Sequence, residues 1–380
     1  MKVAGVAVLL LLAACNSSST PSAQSSTPVS ITSSPADLRG DLPIQDEFGH
    51  GGFLHFPEGT FSSDPQAEMV ADHPTALRRT TVQPYLFGSS AGDATSSAVT
   101  YDRATGRWLP VAPNQVSADG LRYAYTEWIL GEPSALGAMP IGGRIHVVDV
   151  RPASDQVVYS FNGQGYYSIV NFAPEGIYFS PGCVGVVVGY MCGPEDLKLW
   201  RLDPKSGTRT KISDQRGSWT IAGGVAWMVP LAGPREVPDG RVIGPDLPNQ
   251  LLRVDLSTGR EEVWDREPIA PHQAGTCCWT MRFVGTDGVG APLIVVPGTN
   301  ESGLLRVTRP GQTEHIFSAP GCCGSAVTDE YGTWFTVAGH PSNVPYAVTP
   351  VPEQGLYLYA KVSGVRKNSD LALRPAGTFG

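Results

Sequence analysis

Seven cysteines are the residues of this 380-residue chain whose type and spacing speak most directly of chemistry. An odd number cannot pair completely within one chain, so one thiol has another use. Cys183 and Cys192 lie in PGCVGVVVGYMCG, close enough for a local disulfide, while Cys277-Cys278 in TCCWTM and Cys322-Cys323 in GCCGSA are two vicinal pairs 45 residues apart. The four vicinal thiols admit three readings: two disulfides tying neighbouring structural units, a tetrathiolate metal centre, or two strained vicinal disulfides. Adjacent cysteines chelate a tetrahedral metal poorly compared with C-x-x-C spacing, so disulfides are the expectation and no metal is assigned.

The other candidates are loop residues. Glu236 and Asp239 place two carboxylates in one segment, a pattern that serves acid–base chemistry or holds Ca²⁺, and Glu127, Arg235, His272 and His340 also sit in long connections. Three further histidines, His55, His146 and His315, alternate into strand-like segments, where a satisfied structural role is expected. There is no G-x-S-x-G elbow opening a helix, since the one match, GSSAG at residues 88–92, runs on into a polar Ser/Thr stretch, and there is no H-E-x-x-H pair, Walker loop or dinucleotide glycine motif. No catalytic residue is assigned.

Cys15 is the thiol left over. It follows Lys2 and the apolar run from Val3 to Leu12, which is too short to span a bilayer and reads as an export signal. Leu12-Ala13-Ala14-Cys15 resembles the lipobox of bacterial lipoproteins, in which the thiol is lipidated and the chain is cut before it. The resemblance implies residues 1–14 as signal peptide and a lipid anchor at Cys15 on the extracytoplasmic side of a bacterial membrane. Residues 16–35 contain twelve Ser or Thr and three Pro, so residues 15–40 are expected to form a flexible tether. With Cys15 lipidated, six cysteines remain for a disulfide framework.

Composition narrows the partners. A net charge of −8 with 16% charged residues, and no Lys/Arg cluster beyond pairs such as Arg78 and Arg79, excludes a phosphate-neutralising footprint. Nucleic acid is not an expected partner.

Residues 41–380 must position these groups, and they show short strand-like pieces separated by Gly, Pro, Asp and Ser. Apolar strand, polar turn with Gly, apolar strand recurs around Asp102, Asp149, Asp203, Asp255, Thr308 and Lys361, at intervals of 47, 54, 52, 53 and 53 residues. Such a period in an all-β chain indicates propeller blades. Pieces such as LRYAYTEW, YYSIVNF, VAWMVP and TWFTVAG supply two more strands before each hairpin, with residues 51–87 providing those of the first unit. The expectation is an all-β propeller of six four-stranded blades, with seven as the alternative. Trp128, Trp219, Trp227, Trp279 and Trp334 are expected to pack between blades.

Several motifs carry a resemblance. VSADGLRYAY at Val116 is similar to an element of TolB-type and WD40-like propellers, DEYGTWFTV at Asp329 to a strand of lyase-type and sensor-type propellers, and the Asp-to-Gly hairpins to quinoprotein-like repeats. The quinoprotein tryptophan is out of step here: Trp264 lies nine residues after Asp255, Trp108 six after Asp102, and Lys211 stands eight after Asp203, so no quinone is expected.

Strand alternation sends the tight third-to-fourth-strand hairpins to one face and the long connections to the other. Glu127, Arg235, Glu236, Asp239, His272, His340 and the six remaining cysteines fall on the looped face. The expected function is a membrane-anchored binding or scaffold module for a protein, peptide or glycan. The alternative is a lactonase-like or lyase-like enzyme at the channel mouth, which would bring in Ca²⁺.

Overall fold

The computed structural model describes residues 38–46, 50–67, 99–132, 140–163, 167–182, 184–186, 189–191, 195–230, 235–236, 242–243, 249–267, 281–297, 301–320, 323–324, 326–337, 340–341, 348–349, 352–360 and 363–380. Antiparallel strand dominates, and the described helix is limited to short turns such as Pro113–Gln115. Cys15, the signal segment and nearly all of the expected tether lie outside the described residues.

Four sheets follow one plan, each with four strands hydrogen-bonded in chain order. They are Tyr167–Ala173, Gly176–Pro181, Leu199–Leu202, Arg209–Ser213; then Gly217–Ala222, Val225–Pro230, Asn249–Val254, Glu261–Glu267; then Arg282–Thr286, Pro292–Pro297, Ser302–Arg309, Gln312–Ala319; then Ala326–Thr328, Thr333–Val337, Gly355–Ala360, Gly364–Ser369. Before them comes a three-stranded sheet, Arg122–Leu130, Pro140–Val150 and Ala153–Asn162, extended on its inner side by a bridge between Val116 and Tyr123. The fold is an all-β propeller, because the first strands of successive sheets lie side by side and the sheets meet face to face.

Residues 40–63 depart from the expected partition. Gly51–Phe56 pairs with Gly40–Gln45 and Thr60–Ser63, not with the Asp102 hairpin, and Arg374–Pro375 supplies the inner strand of this closing sheet. Thr100–Asp102 and Arg107–Leu109 form a separate two-stranded hairpin among the described residues.

Among the described residues, seven apolar clusters join the sheets pairwise. One runs from Phe335 and Tyr357 to Leu304 and Phe317, the next from Trp334 and Leu358 to Leu42 and Leu54, and the next from Phe53 to Tyr101 and Trp108. Others link Tyr123 to Leu109, Ile145 to Phe179, Tyr178 to Met228, and Trp227 to Ile294, so the packing returns to its starting sheet. Alternating strand residues meet both neighbours, which is why the strands are apolar on both faces.

The recurrent hairpins form for a local reason. At Asp102, Asp203 and Asp255 the main-chain carbonyl accepts the N–H of the glycine four residues on, at 2.8, 2.9 and 2.8 Å, and Gly106, Gly207 and Gly259 take φ of +65°, +71° and +69°. The Asp255 carboxylate accepts the N–H groups of Ser257 and Thr258 at 2.9 and 2.8 Å. Other acidic turns work alike: Asp329 accepts from Tyr331 N at 2.9 Å and from the Trp334 indole at 2.8 Å, and Asp119 accepts from Ser117 Oγ at 2.6 Å.

Candidate functional site

Strand order fixes the faces. The turns at Asp203, Asp255, Asp119 and Asp329 lie on one face, and the connections between second and third strands lie on the other. Three of these connections carry an accessory two-stranded hairpin: Val184–Val186 with Gly189–Met191, Arg235–Glu236 with Val242–Ile243, and His340–Pro341 with Val348–Thr349. The same position is elaborated in three sheets, giving the looped face a repeated raised element.

Arg235 and Glu236 stand opposite Ile243 and Val242 in one accessory hairpin, and His340 opposite Thr349 in another. Asp239 and His272 lie outside the described residues, as do Cys183, Cys192, Cys277, Cys278 and Cys322. Cys323 is fully buried near Phe335 and Val337, and its carbonyl accepts from Arg282 Nη2 at 3.3 Å.

Glu127 belongs to a different arrangement. It lies in Arg122–Leu130, opposite Arg144, and its Oε2 accepts from Arg144 Nη1 at 3.2 Å and faces His146 Nε2 at 3.1 Å. His146 Nδ1 faces Asp155 Oδ1 at 2.8 Å, while Tyr125 donates its hydroxyl proton to Asp155 Oδ2 at 2.7 Å and stacks on the imidazole at 4.5 Å. Three adjacent strands supply the group: Tyr125 and Glu127 from the first, His146 and Arg144 from the second, Asp155 from the third. His146 is 6% exposed, and each ring nitrogen has a carboxylate to face. The alternation of His146 into its strand thus leads to a satisfied, buried imidazole. What strand alternation alone did not show is that Glu127 completes it; Glu127 and His146 are diagonal neighbours across the ladder, legible only once the register is known.

On the hairpin face three acidic turns share one electrostatic feature. Turn hydrogen bonds hold the carboxyls of Asp119, Asp203 and Asp255 below their usual range, Asp119 chiefly through Ser117, Asp203 through the Lys205 N–H and Asp255 through Ser257. These carboxylates are occupied by their own turns.

Between the 122–162 and 167–213 sheets an aromatic ladder is packed. Phe161 and Tyr167 stack with centroids 3.7 Å apart, Phe179 follows at 5.3 Å, and Arg209 covers Tyr159 and Trp200, each at 5.1 Å. Burial, then the neighbouring Tyr159, pushes the Tyr167 hydroxyl up to about 12. Trp227 and Trp334 are likewise inter-sheet residues, Trp227 between Trp264 and Phe283 and Trp334 against Phe56 and Phe379.

Among the described residues, no three His, Cys, Asp or Glu side chains converge so as to hold a metal ion. The carboxylates that do cluster at Glu127 and Asp155 are engaged by His146, Arg144 and Tyr125, so no Ca²⁺ ligand set is drawn from them.

No protein-family model matches the sequence, and no curated protein matches it. Solved structures do. An oligogalacturonate lyase in complex with manganese is 15% identical, with 67% of this chain and 63% of that one covered at a TM-score of 0.39. The oligogalacturonate lyase of Vibrio parahaemolyticus is 10% identical, with 88% and 79% covered at 0.29. A streptogramin B lyase is 14% identical, with 65% and 87% covered at 0.29. The chain spans just under two thirds of the first of these. The assignment of the fold rests on the strand ladder and the closed series of cores.

Proposed function

We propose that the chain is a lipid-anchored extracytoplasmic propeller that binds a protein, peptide or glycan on its looped face. One observation carries this reading: three second-to-third-strand connections each carry an accessory hairpin, and Arg235, Glu236 and His340 stand on two of them. Loops held on a rigid scaffold concentrate binding residues, and a rim of repeated hairpins can enclose a ligand that a flat sheet end cannot. The Cys323 sulfur is buried and not a free thiol, which fits a disulfide framework on that face. The lipobox at Cys15 and the Ser/Thr/Pro-rich tether would hold the domain clear of the bilayer.

The test is replacement of each accessory hairpin by a short Gly-Ser link, followed by retention of defined envelope proteins, peptides and glycans on the immobilised domain. Loss of at least about tenfold for one ligand class, with cooperative unfolding unchanged, is expected of one or more hairpins. Undiminished retention in all three variants contradicts the reading.

A further inference from the structure

Asp41, His55 and Ser62 occupy three adjacent strands of the closing sheet. His55 stands directly opposite Asp41, and Ser62, opposite Phe53, lies one diagonal step away on the same face. The distances form a continuous chain: Asp41 Oδ1 to His55 Nδ1 is 2.6 Å, and His55 Nε2 to Ser62 Oγ is 2.7 Å. A carboxylate at Nδ1 holds the proton there and leaves the Nε2 lone pair for the serine hydroxyl, which is the order of groups that activates a serine nucleophile. Unlike His146, the group is open to solvent, with the His55 side chain 37% and the Asp41 side chain 48% exposed.

The surroundings supply two further requirements. Among the described residues Thr60–Ser63 is the outer strand of its sheet, and the Asp64 N–H points inward to the Gly51 carbonyl at 3.0 Å. By the two-residue alternation of an antiparallel ladder, the N–H groups of Phe61 and Ser63 point away from the sheet, beside the Ser62 side chain, where they can donate to an oxyanion. Phe53, on the same face, meets Tyr101 edge-on at 5.0 Å and offers an apolar shelf next to Ser62.

We propose that Asp41, His55 and Ser62 form an acyl-transfer site for small, exposed aryl or acyl esters, separate from the looped face. The Ser62 oxygen attacks the ester carbonyl carbon as its proton passes to His55 Nε2. The bond to the leaving alcohol breaks, and that alcohol takes the proton. Water then attacks the acyl-serine in the same way, releasing a carboxylic acid and restoring Ser62. Asp41 is the positioning residue.

The experiment uses the full chain, with p-nitrophenyl acetate as substrate and a fluorophosphonate as covalent probe, the adduct being located by peptide mass spectrometry. Modification at Ser62, its loss in Ser62→Ala, a fall of at least about 100-fold in hydrolysis for His55→Gln, and a lowered kcat with unchanged KM for Asp41→Asn are expected. The variants change exposed side chains, and their unfolding midpoints, measured alongside, should match that of the parent. An absent adduct, an adduct elsewhere, or a Ser62 adduct whose rate ignores His55 overturns the proposal.

Discussion

Ile44 is paired with Pro375 in an antiparallel ladder that joins residues 40–45 to residues 374–375. The contact brings together segments far apart in sequence, and the same junction is tied by Asp41 N to the Gly380 carbonyl at 3.0 Å and by Ala376 N to the Pro43 carbonyl at 2.9 Å. A ring of sheets closed in this way shares the cost of closure among all of its interfaces, so damage at the junction is expected to act on the whole domain.

Phe379 is the anchor of that junction. Its ring meets Phe56 at 5.4 Å, Tyr331 at 4.9 Å and Trp334 at 5.8 Å, and its N–H donates to Asp329 Oδ2 at 2.9 Å. Phe379→Ala should destabilise the fold by about 3–5 kcal/mol, seen as a lower denaturant midpoint at unchanged slope.

Arg306 and Asp287 make a buried ion pair, Nε to Oδ2 at 2.6 Å, with the side chains 8% and 4% exposed. Asp287 Oδ1 also accepts the N–H groups of Val289 and Ala291, so the carboxylate stays buried whatever replaces the arginine. Arg306→Leu should therefore cost about 3–5 kcal/mol, and adding Asp287→Asn should recover part of it in a double-mutant cycle of unfolding free energies.

How much of this was legible in the sequence depends on range. The Asp-to-Gly hairpins were, because the Asp carboxylate, the Ser or Thr and the left-handed Gly all act within five residues. The closing sheet was not: its turn at Pro57-Glu58-Gly59 lacks the Asp signature, and no local pattern links Ile44 to Pro375. The six-unit partition therefore gave residues 51–87 to the Asp102 hairpin. Arg235, Glu236 and His340 were placed in long connections, but the accessory hairpins that carry them are pairings of only two residues each, too short for alternation to register. His55 was read by alternation as a strand residue with a satisfied structural role, which left out Asp41 and Ser62 because cross-strand register decides their meeting.

Acid should act through the turns. A carboxylate whose pKa falls on folding contributes stability that is full above its unfolded value, about 4, and is lost as pH drops toward the folded value. Asp255, held well below the usual range by Ser257 and Thr258, is such a group. Asp255→Asn keeps much of the turn but removes the titration, so the difference in unfolding midpoint between parent and variant should be largest at neutral pH and shrink below pH about 4.

The anchor has its own prediction. Cys15→Ser in the full chain should move the protein from the membrane to the soluble extracytoplasmic fraction and abolish incorporation of labelled fatty acid, since no second lipid site is assigned. Retention of the variant in the membrane fraction contradicts lipidation at Cys15.

The most direct test of ligand binding on the looped face is site-specific photo-crosslinking in the intact, producing cell. A photoreactive residue placed at Arg235 or His340 should yield a discrete crosslinked adduct, while the same residue at Lys205 or Ser257, on the opposite turns, should yield none. Adducts confined to Lys205 and Ser257, or none from Arg235 and His340, would contradict it.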